Sequence, residues 1–404
     1  MVDLCSKVKV VNKGVKVKLY PDEDMKQRIH QNIGNARFVR NNLLKEYQNT
    51  FQLFKQHGYS KLQCNQKTFN TMLNMLKKQH SFLYESESSS LQQEYRDLIK
   101  SFKRFFNGIS GYPKYKSKRN PKQAFRIQNN KNIKTNDNTI DLPKLGEIYY
   151  RTSPQNKKLL QESKINNVTI KIEHGYYYAV FNIETEIEKF DKKGDIIGID
   201  LGIKTLATLS NGLKIANLDT TDEDKKIKKY LRKLSKKKYR SNRYNKTLKT
   251  LGKWITKKQN KLNDAYHKIS NYLVKKYGVI CMEDLNIKEM LQEKKISSSL
   301  QTIRWGKLLN MIKYKCEWYG KKFIQISRWF PSSKTCSKCG YYYKDLKDQK
   351  EWTCPSCKTH HDRDINAAKN IKNEGYKILS NEIVNLRNWG DSTVILLSWE
   401  STGP

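Results

Sequence analysis

Two C-x-x-C pairs, Cys336 with Cys339 and Cys354 with Cys357, stand 14 residues apart and constrain this chain more than any other feature. Each pair fits a tight knuckle whose backbone N–H groups point at the thiolates. Four thiolates suit tetrahedral zinc, and a site closed by four protein ligands is structural. The separation falls just under the range usual for zinc ribbons. A redox-active dithiol is the other reading of a C-x-x-C, but two matched pairs are what a ribbon requires. Cys5, Cys64, Cys281 and Cys316 are scattered, which in a reducing compartment favours one metal site plus buried thiols over disulfides.

The second pair opens the stretch CPSCKTHHDRDINAAKNI, residues 354 to 371, in which Asp364 stands at the start of a helical pattern. Two other segments place an acid in a comparable setting. In IIGIDLGIKT an apolar strand runs into Asp200 and then Gly202; in GVICMEDLNI, Val279 and Ile280 lead to Glu283. Taken singly, each acid has a structural reading, and Asp364 in particular reads as a helix N-cap. Taken together, two acids on adjacent strands of one sheet and a third on a packing helix can converge on divalent cations. Hard oxygen ligands of this kind suit Mg²⁺ or Mn²⁺. A pair of such cations activates water and stabilises the leaving oxygen in phosphodiester cleavage. His360, His361 and Asp362 read as surface positions beside this site.

Charge identifies the class of partner. Lys and Arg number 79 against 39 Asp and Glu, a net charge of +40. A chain this basic repels itself unless a polyanion neutralises it, so nucleic acid is the expected partner. An anionic membrane is disfavoured because no basic helix has a clean apolar face. No apolar run reaches the roughly 18 residues that span a bilayer. The opening MVDLCSKVKVVNKGVKVKLY alternates like a strand and lacks the apolar block of a signal peptide. The expected location is therefore intracellular, and cytoplasmic in a prokaryote. With 404 residues, two to four domains are expected.

Along the chain, residues 6–20 read as strand, turn and strand. Met25, Ile29, Ile33, Ala36, Val39, Leu43 and Tyr47 recur at helical spacing. Further helices fit 66–79 and 87–106, and Gly108, Gly111 and Pro113 stop the last. YPKYKSKRNPKQAFRI follows. It interleaves Tyr112 and Tyr115 with Lys114, Lys116, Lys118 and Arg119, a pattern in which rings stack on bases while cations hold phosphates; a plain basic loop is the competing reading. Strands return in NNVTIKIEHGYYYAVFNI, with Val168, Ile170 and Ile172 alternating, His174-Gly175 turning, and Tyr176, Tyr178 and Val180 alternating back. These strands and the N-terminal ones suit one sheet or barrel with the helices inserted between them. KFDKKG, 189–194, reads as a linker. Three strands follow it, with Asn211-Gly212 as a hairpin turn. A long basic helical region then covers about 222–276, and 17 Lys or Arg fall between 221 and 262. Next come a strand at GVICMEDL, a helix over 300–319, a strand at KKFIQIS, the cysteines, and a helix over 365–374. The last thirty residues suit a partly disordered tail.

GIDLGIKTLAT, CMEDLNIKEM, RWFPSSKTCSKCG and CPSCKTHHDRDINAAKNI, in this order, resemble the split RuvC-like nuclease of the TnpB family, transposon-encoded RNA-guided DNA endonucleases related to type V CRISPR effectors. The resemblance is specific over about 195–371 and looser before, where FFNGISGYPKYKSK also resembles a family segment. It implies that Asp200, Glu283 and Asp364 are the three catalytic acids, holding Mg²⁺ or Mn²⁺, and that Cys336, Cys339, Cys354 and Cys357 hold zinc. The implied fold is multidomain α+β. A β-barrel wedge domain, 1–20 and 108–190, carries an inserted helical recognition domain, 21–107. An RNase H-like (RuvC) α/β nuclease domain, 191–335 and 358–375, is interrupted by a zinc ribbon, 336–357, and a tail covers 376–404. The implied partners are a guide RNA and a double-stranded DNA target, with the protein monomeric in the complex and no membrane involved. Zinc then fixes the insertion so that the chain re-enters the nuclease core with Asp364 against the other acids. Other readings are a non-cleaving guided DNA-binding repressor, an RNase H-fold transposase, and a compact CRISPR effector or eukaryotic relative of the same nuclease. The repressor reading is weakened because nuclease-dead relatives lose acids that this chain keeps.

Overall fold

The computed structural model describes residues 7–58, 63–119, 123–190, 195–239, 241–285, 304–347 and 349–388. Cys5, most of the linker and residues 389–404 of the tail lie outside the described residues. The chain divides into two compact units. One comprises Met1–Lys9, Ile187–Lys229 and Trp254–Pro404; the other comprises Val10–Glu186 and Tyr230–Lys253.

The second unit is built on a seven-stranded sheet. Its strands are β1 (Val8–Leu19), β2 (Gln123–Gln128), β3 (Lys134–Thr135), β4 (Thr139–Leu142), β5 (Gly146–Arg151), β6 (Lys164–Glu173) and β7 (Tyr176–Glu188). Their order is β2-β6-β7-β1-β5-β4-β3. The N-terminal strand thus lies between later ones, as the single-sheet reading requires. Among the described pairings β2 and β3 remain edges, so the sheet is a half-barrel.

Two local expectations fail here. Where strand, turn and strand are expected, Val8–Leu19 form one strand. Val11, Val15, Val17 and Leu19 are all buried, so inward-facing parity continues straight through Asn12-Lys13-Gly14. The return strand β7 is out of phase with its expected alternation. The turn at His174-Gly175 pairs Glu173 with Tyr176, which sets Ile170 opposite Ala179 and Val168 opposite Phe181. Residues paired directly share a face, so Ala179, Phe181 and Ile183 enter the core, while Tyr176, Tyr178 and Val180 face the other way.

Helix α1 (Glu23–Gln56) is capped by Asp22, whose carboxylate accepts from Met25 N–H at 2.7 Å. Every residue of the stripe from Met25 to Tyr47 is buried, and the stripe serves two cores. Met25, Ile29, Ile33 and Ala36 pack into the sheet, while Val39, Leu43, Leu44 and Tyr47 pack with α2 (Gln66–Gln79) and α3 (Ser88–Phe106). A short helix α4 (Pro154–Glu162), with Ser153 as its cap and Pro154 in its first turn, joins β5 to β6.

The first unit holds a five-stranded sheet ordered β10-β9-β8-β11-β12. Its strands are β8 (Ile196–Leu201), β9 (Thr205–Leu209), β10 (Lys214–Ala216), β11 (Val279–Glu283) and β12 (Lys322–Ile326). β8, β11 and β12 run parallel; β9 and β10 run antiparallel as a hairpin. The basic helical region forms two helices, α5 (Thr221–Ser235) and α6 (Asn242–Lys276). Further along are α7 (Trp305–Tyr319) and α8 (Arg363–Asn388), the latter running well past the end expected near residue 374.

Parallel strands covered on both faces are apolar throughout, and β8 shows why. Ile197 and Ile199 pack with Ile280 and Met282 of β11, with Leu262, Tyr266 and Leu273 of α6, and with Trp305, Leu308 and Ile312 of α7. Ile196 faces the opposite side with Val279, Cys281, Ile324, Ile326 and, from α8, Ile371. Asp200 and Glu283 have the parity of this second face. The sheet is therefore sandwiched, and both acids lie on the side covered by α8.

Candidate functional site

Register brings the first two acids together. Val279 pairs with Ile196 and Met282 with Ile199, so Glu283 falls one step beyond the last pair, beside Asp200, at the C-terminal ends of neighbouring parallel strands. Helix α8 supplies the third. Asp364 shares a helical face with Ala368 and Ile371, which pack on the sheet. Two glycines permit that close approach. A Cβ on Gly198 would lie 2.1 Å from the Ala368 carbonyl oxygen and 2.5 Å from the Lys372 nitrogen; one on Gly375 would lie 2.2 Å from Cys281 Sγ. Neither glycine stands out in the sequence alone, because its constraint comes from an element distant along the chain.

The three acids line one cleft of about 300 Å³ together with Gly202, Arg363 and a wall of Phe330, Pro331, Ser332 and Ser333. Asp200 and Glu283 are half-buried and Asp364 is exposed. Burial, reinforced by the charges of Asp364 and Glu283, pushes the Asp200 carboxyl up to about 7, against a partial opposing pull from Arg363. Burial, then the neighbouring Asp284, pushes Glu283 up to about 7. Two raised carboxyls with a third acid in the same cleft make an environment that a divalent cation would relieve, and their oxygen donors suit Mg²⁺ or Mn²⁺.

Asp364 does not act as the helix cap that its position suggests. Asp362 does: its Oδ1 accepts from the N–H groups of Asp364 and Ile365, both at 3.0 Å, while its Oδ2 accepts from Lys214 Nζ at 2.6 Å. The Asp364 carboxylate is thereby left to the cleft. Asp362 is only half-buried by this arrangement, whereas His361, expected at the surface, is buried. Its ring lies against Trp352, and its Nε2 is 3.1 Å from Cys336 Sγ. The alternation of β14 (His360–Asp362), paired with β13 (Glu351–Thr353), turns His361 inward and leaves His360 exposed.

The four cysteine sulfurs all lie within 4.8 Å of one another, with Cys336 to Cys357 at 3.6 Å and Cys339 to Cys354 at 3.7 Å. Zn–S bonds of about 2.3 Å in a tetrahedron require sulfur separations of roughly 3.8 Å, so the site fits zinc. The two knuckles repeat one backbone pattern. Gly340 N–H donates to Cys336 O at 2.9 Å and Lys358 N–H to Cys354 O at 3.0 Å, with both donors in the left-handed region at φ 78° and 57°.

The basic-aromatic segment is partly absorbed by the fold. Tyr112 sets its ring edge-on to Phe102 and Phe105. Lys116 pairs with the buried Glu94 at 2.6 Å, and its backbone is bracketed by Asn41. Tyr115 donates its hydroxyl to Gln48 yet stays exposed, as do Lys114, Lys118 and Arg119. A second cation-aromatic patch went unnoticed in the sequence. On β7, β1 and β5, Lys16 lies over Tyr178 at 3.9 Å, Lys18 over Tyr20 and Tyr176, and Arg151 over Tyr20 and Tyr149. The signal was the outward lysine phase of VKVKLY, whose inward phase was read as strand.

Comparison with known proteins fits this geometry. Residues 305–371 match the family model described as "Cas12f1-like, TNB domain", 179–294 match "Probable transposase", and 11–56 match "Helix-turn-helix domain". In this structure the last segment is most of β1 followed by the single helix α1. A "Putative RNA-guided DNA endonuclease" of Streptomyces pristinaespiralis is 30% identical over 367 residues, covering 89% of each chain. The "Putative RNA-guided DNA endonuclease InsQ" of Escherichia coli K12 is 26% identical, covering 74% of this chain and 77% of the relative. A Cas12f1–sgRNA–target DNA complex shares the fold at a TM-score of 0.55 and 15% identity, covering 90% of this chain and 99% of that one. A mixed α/β multidomain fold with a four-cysteine cluster thus defines the class of protein. The chain belongs to the TnpB family.

Proposed function

We propose that this protein is an RNA-guided DNA endonuclease of a transposon that cuts by metal-dependent phosphodiester hydrolysis at Asp200, Glu283 and Asp364. The observation that carries the reading is the convergence of three carboxylates from distant segments in one cleft, two of them raised to about 7. Bound divalent cations would supply Lewis-acid stabilisation of the phosphate and a water acidic enough to attack it. The chain's own part is positional. Asp200 and Glu283 offer oxygen ligands from strand ends, Asp364 closes the set from the first turn of α8, and Phe330 and Pro331 form part of the cleft wall. The five-stranded sheet with α6, α7 and α8 would be an RNase H-like nuclease domain, divided by a structural zinc ribbon at 336–357. The half-barrel would be the wedge domain, and the helices of 21–107 the recognition domain.

A guide RNA would neutralise much of the +40 charge, with its pairing to one DNA strand reading sequence while the protein reads a short flanking duplex motif. Lys114, Tyr115, Lys118 and Arg119 remain candidate contacts, and the patch from Lys16 to Arg151 joins them. We take the working form to be one protein chain per complex. No described helix is long and apolar enough to cross a membrane. Sequencing the RNA that survives a high-salt wash of protein purified with its native locus tests the reading, because bare phosphate contacts weaken steeply with salt. One discrete RNA ending in variable sequence is expected. Absence of bound RNA, together with strand-transfer products, would favour the transposase reading instead.

A further inference from the structure

The zinc ribbon and the acid cleft share one connection in α8. Asn366 is 1% exposed and Asn370 is 4% exposed, one helical turn apart. Asn366 Oδ1 accepts from Ser337 N–H at 2.9 Å, and its Nδ2 donates to Thr335 O at 2.7 Å. Asn370 Nδ2 donates to the same Thr335 carbonyl at 2.6 Å and to Ser332 O at 2.7 Å. Ser337 lies inside the first knuckle, between Cys336 and Cys339. Ser332 belongs to the wall of the acid cleft. Asp364 precedes Asn366 by two residues on the same helix. Two side-chain amides therefore bind the knuckle, the cleft wall and the helix bearing the third acid into one piece.

We infer that Asn366 and Asn370 are positioning residues that couple the zinc knuckle to the acid cleft, so that zinc occupancy sets the cleft's affinity for its divalent cation. Three observations favour coupling over simple packing. The amides hydrogen-bond to backbone carbonyls and an N–H, and a buried amide without partners is costly. Both bond to one carbonyl, Thr335 O, immediately before Cys336, so a shift of the knuckle moves both. The bonds fix orientation at the start of α8, where a small rotation would carry Asp364 away from Asp200 and Glu283. Outer groups that orient metal ligands typically change metal affinity by roughly 10- to 100-fold when removed.

The inference rests on the acid cleft being the divalent-cation site, and its test separates the two claims. Full-length RNA-bound Asn366→Ala/Asn370→Ala protein is compared with wild type. The readouts are zinc content, Mn²⁺ affinity, target-DNA affinity and the Mg²⁺ concentration giving half-maximal cleavage. The expected result is full zinc content, unchanged DNA binding, about tenfold weaker Mn²⁺ binding, and cleavage restored by excess Mg²⁺. An equal Mg²⁺ half-point and equal Mn²⁺ affinity in the two proteins would overturn the coupling and leave the asparagines as packing. A wild type that binds no Mn²⁺ at the acids would overturn the underlying cleft reading instead. Should the double variant not fold, Asn366→Asp removes the donor to Thr335 O while keeping the acceptor for Ser337 N–H. It is expected to shift the Mg²⁺ half-point in the same direction, and an unshifted half-point would overturn the coupling.

Discussion

At the scale of the residue, the acids behave according to where the fold puts them. Asp200 and Glu283 are pushed up to about 7 by burial and by neighbouring carboxylates, whereas in the unfolded chain such groups titrate near about 4. A carboxyl raised on folding contributes stability that is fully present below the unfolded value and is lost as pH rises through the folded one. Metal-free protein should therefore lose stability between about pH 4 and pH 7 at these groups. Asp200→Asn should raise the metal-free Tm at pH 8 and leave it close to wild type at pH 4. Mn²⁺ should stabilise the wild type more at pH 8 than at pH 6, because binding must displace protons at the lower pH. Thermal unfolding in the two buffers measures this, and an equal Mn²⁺ effect at both would contradict it. Asp200 and Glu283 stand out in the sequence because an apolar strand ending in a carboxylate is a local signal, whereas Asp364 stands out only as an acid at a helix start. The division of labour between Asp362 and Asp364 was not. Both stand at a helix start, and only the turn of β14 determines which carboxylate caps and which faces the cleft. His361 was misjudged for the same reason: its burial depends on pairing with Trp352's strand, a contact absent from its local pattern.

Among the elements, the contact of α8 with β8 decides whether the site assembles. Gly198 has no room for a methyl group, since both its nearest obstacles are helix backbone, not flexible side chains. Gly198→Ala should displace α8 and destabilise the protein by about 1–3 kcal/mol, the usual range for overpacking. Cleavage should fall by more than DNA affinity does, because Asp364 moves with the helix. Denaturation and paired binding and cleavage assays check this; normal cleavage in a destabilised protein would show that α8 need not sit so close. Helices were the most legible elements. The stripe from Met25 to Tyr47 is uninterrupted, and its every member is buried. Strands were less so, for two reasons. Gly14 resembled a turn residue, although inward parity runs through it. The phase of β7 was fixed by the pairing across His174-Gly175, which outweighed its own alternation of tyrosines.

For the whole molecule, the excess of positive charge predicts a polyanion but not its location. Charge density along the chain identified 112–119, where Lys116 is in fact occupied by Glu94. The Lys16–Arg151 patch is assembled from three strands distant in sequence, so only the sheet order discloses it. The clustering of the four cysteines was legible because two matched C-x-x-C pairs suggest a four-thiolate site, whereas their link to α8 needed the buried amides of Asn366 and Asn370. Guided cutting by the three acids is the proposal on which the function rests. Its most direct test is cleavage by the RNA-bound protein after the variable end of the bound RNA has been replaced to match a new target, with Asp200→Ala in parallel. Guided cutting predicts Mg²⁺-dependent cleavage that moves to the new target beside an unchanged flanking motif. It also predicts a loss on the order of 10³-fold in Asp200→Ala, the rate equivalent of several kcal/mol of metal-borne stabilisation. Cutting that ignores the new guide, or that persists in Asp200→Ala, would contradict it.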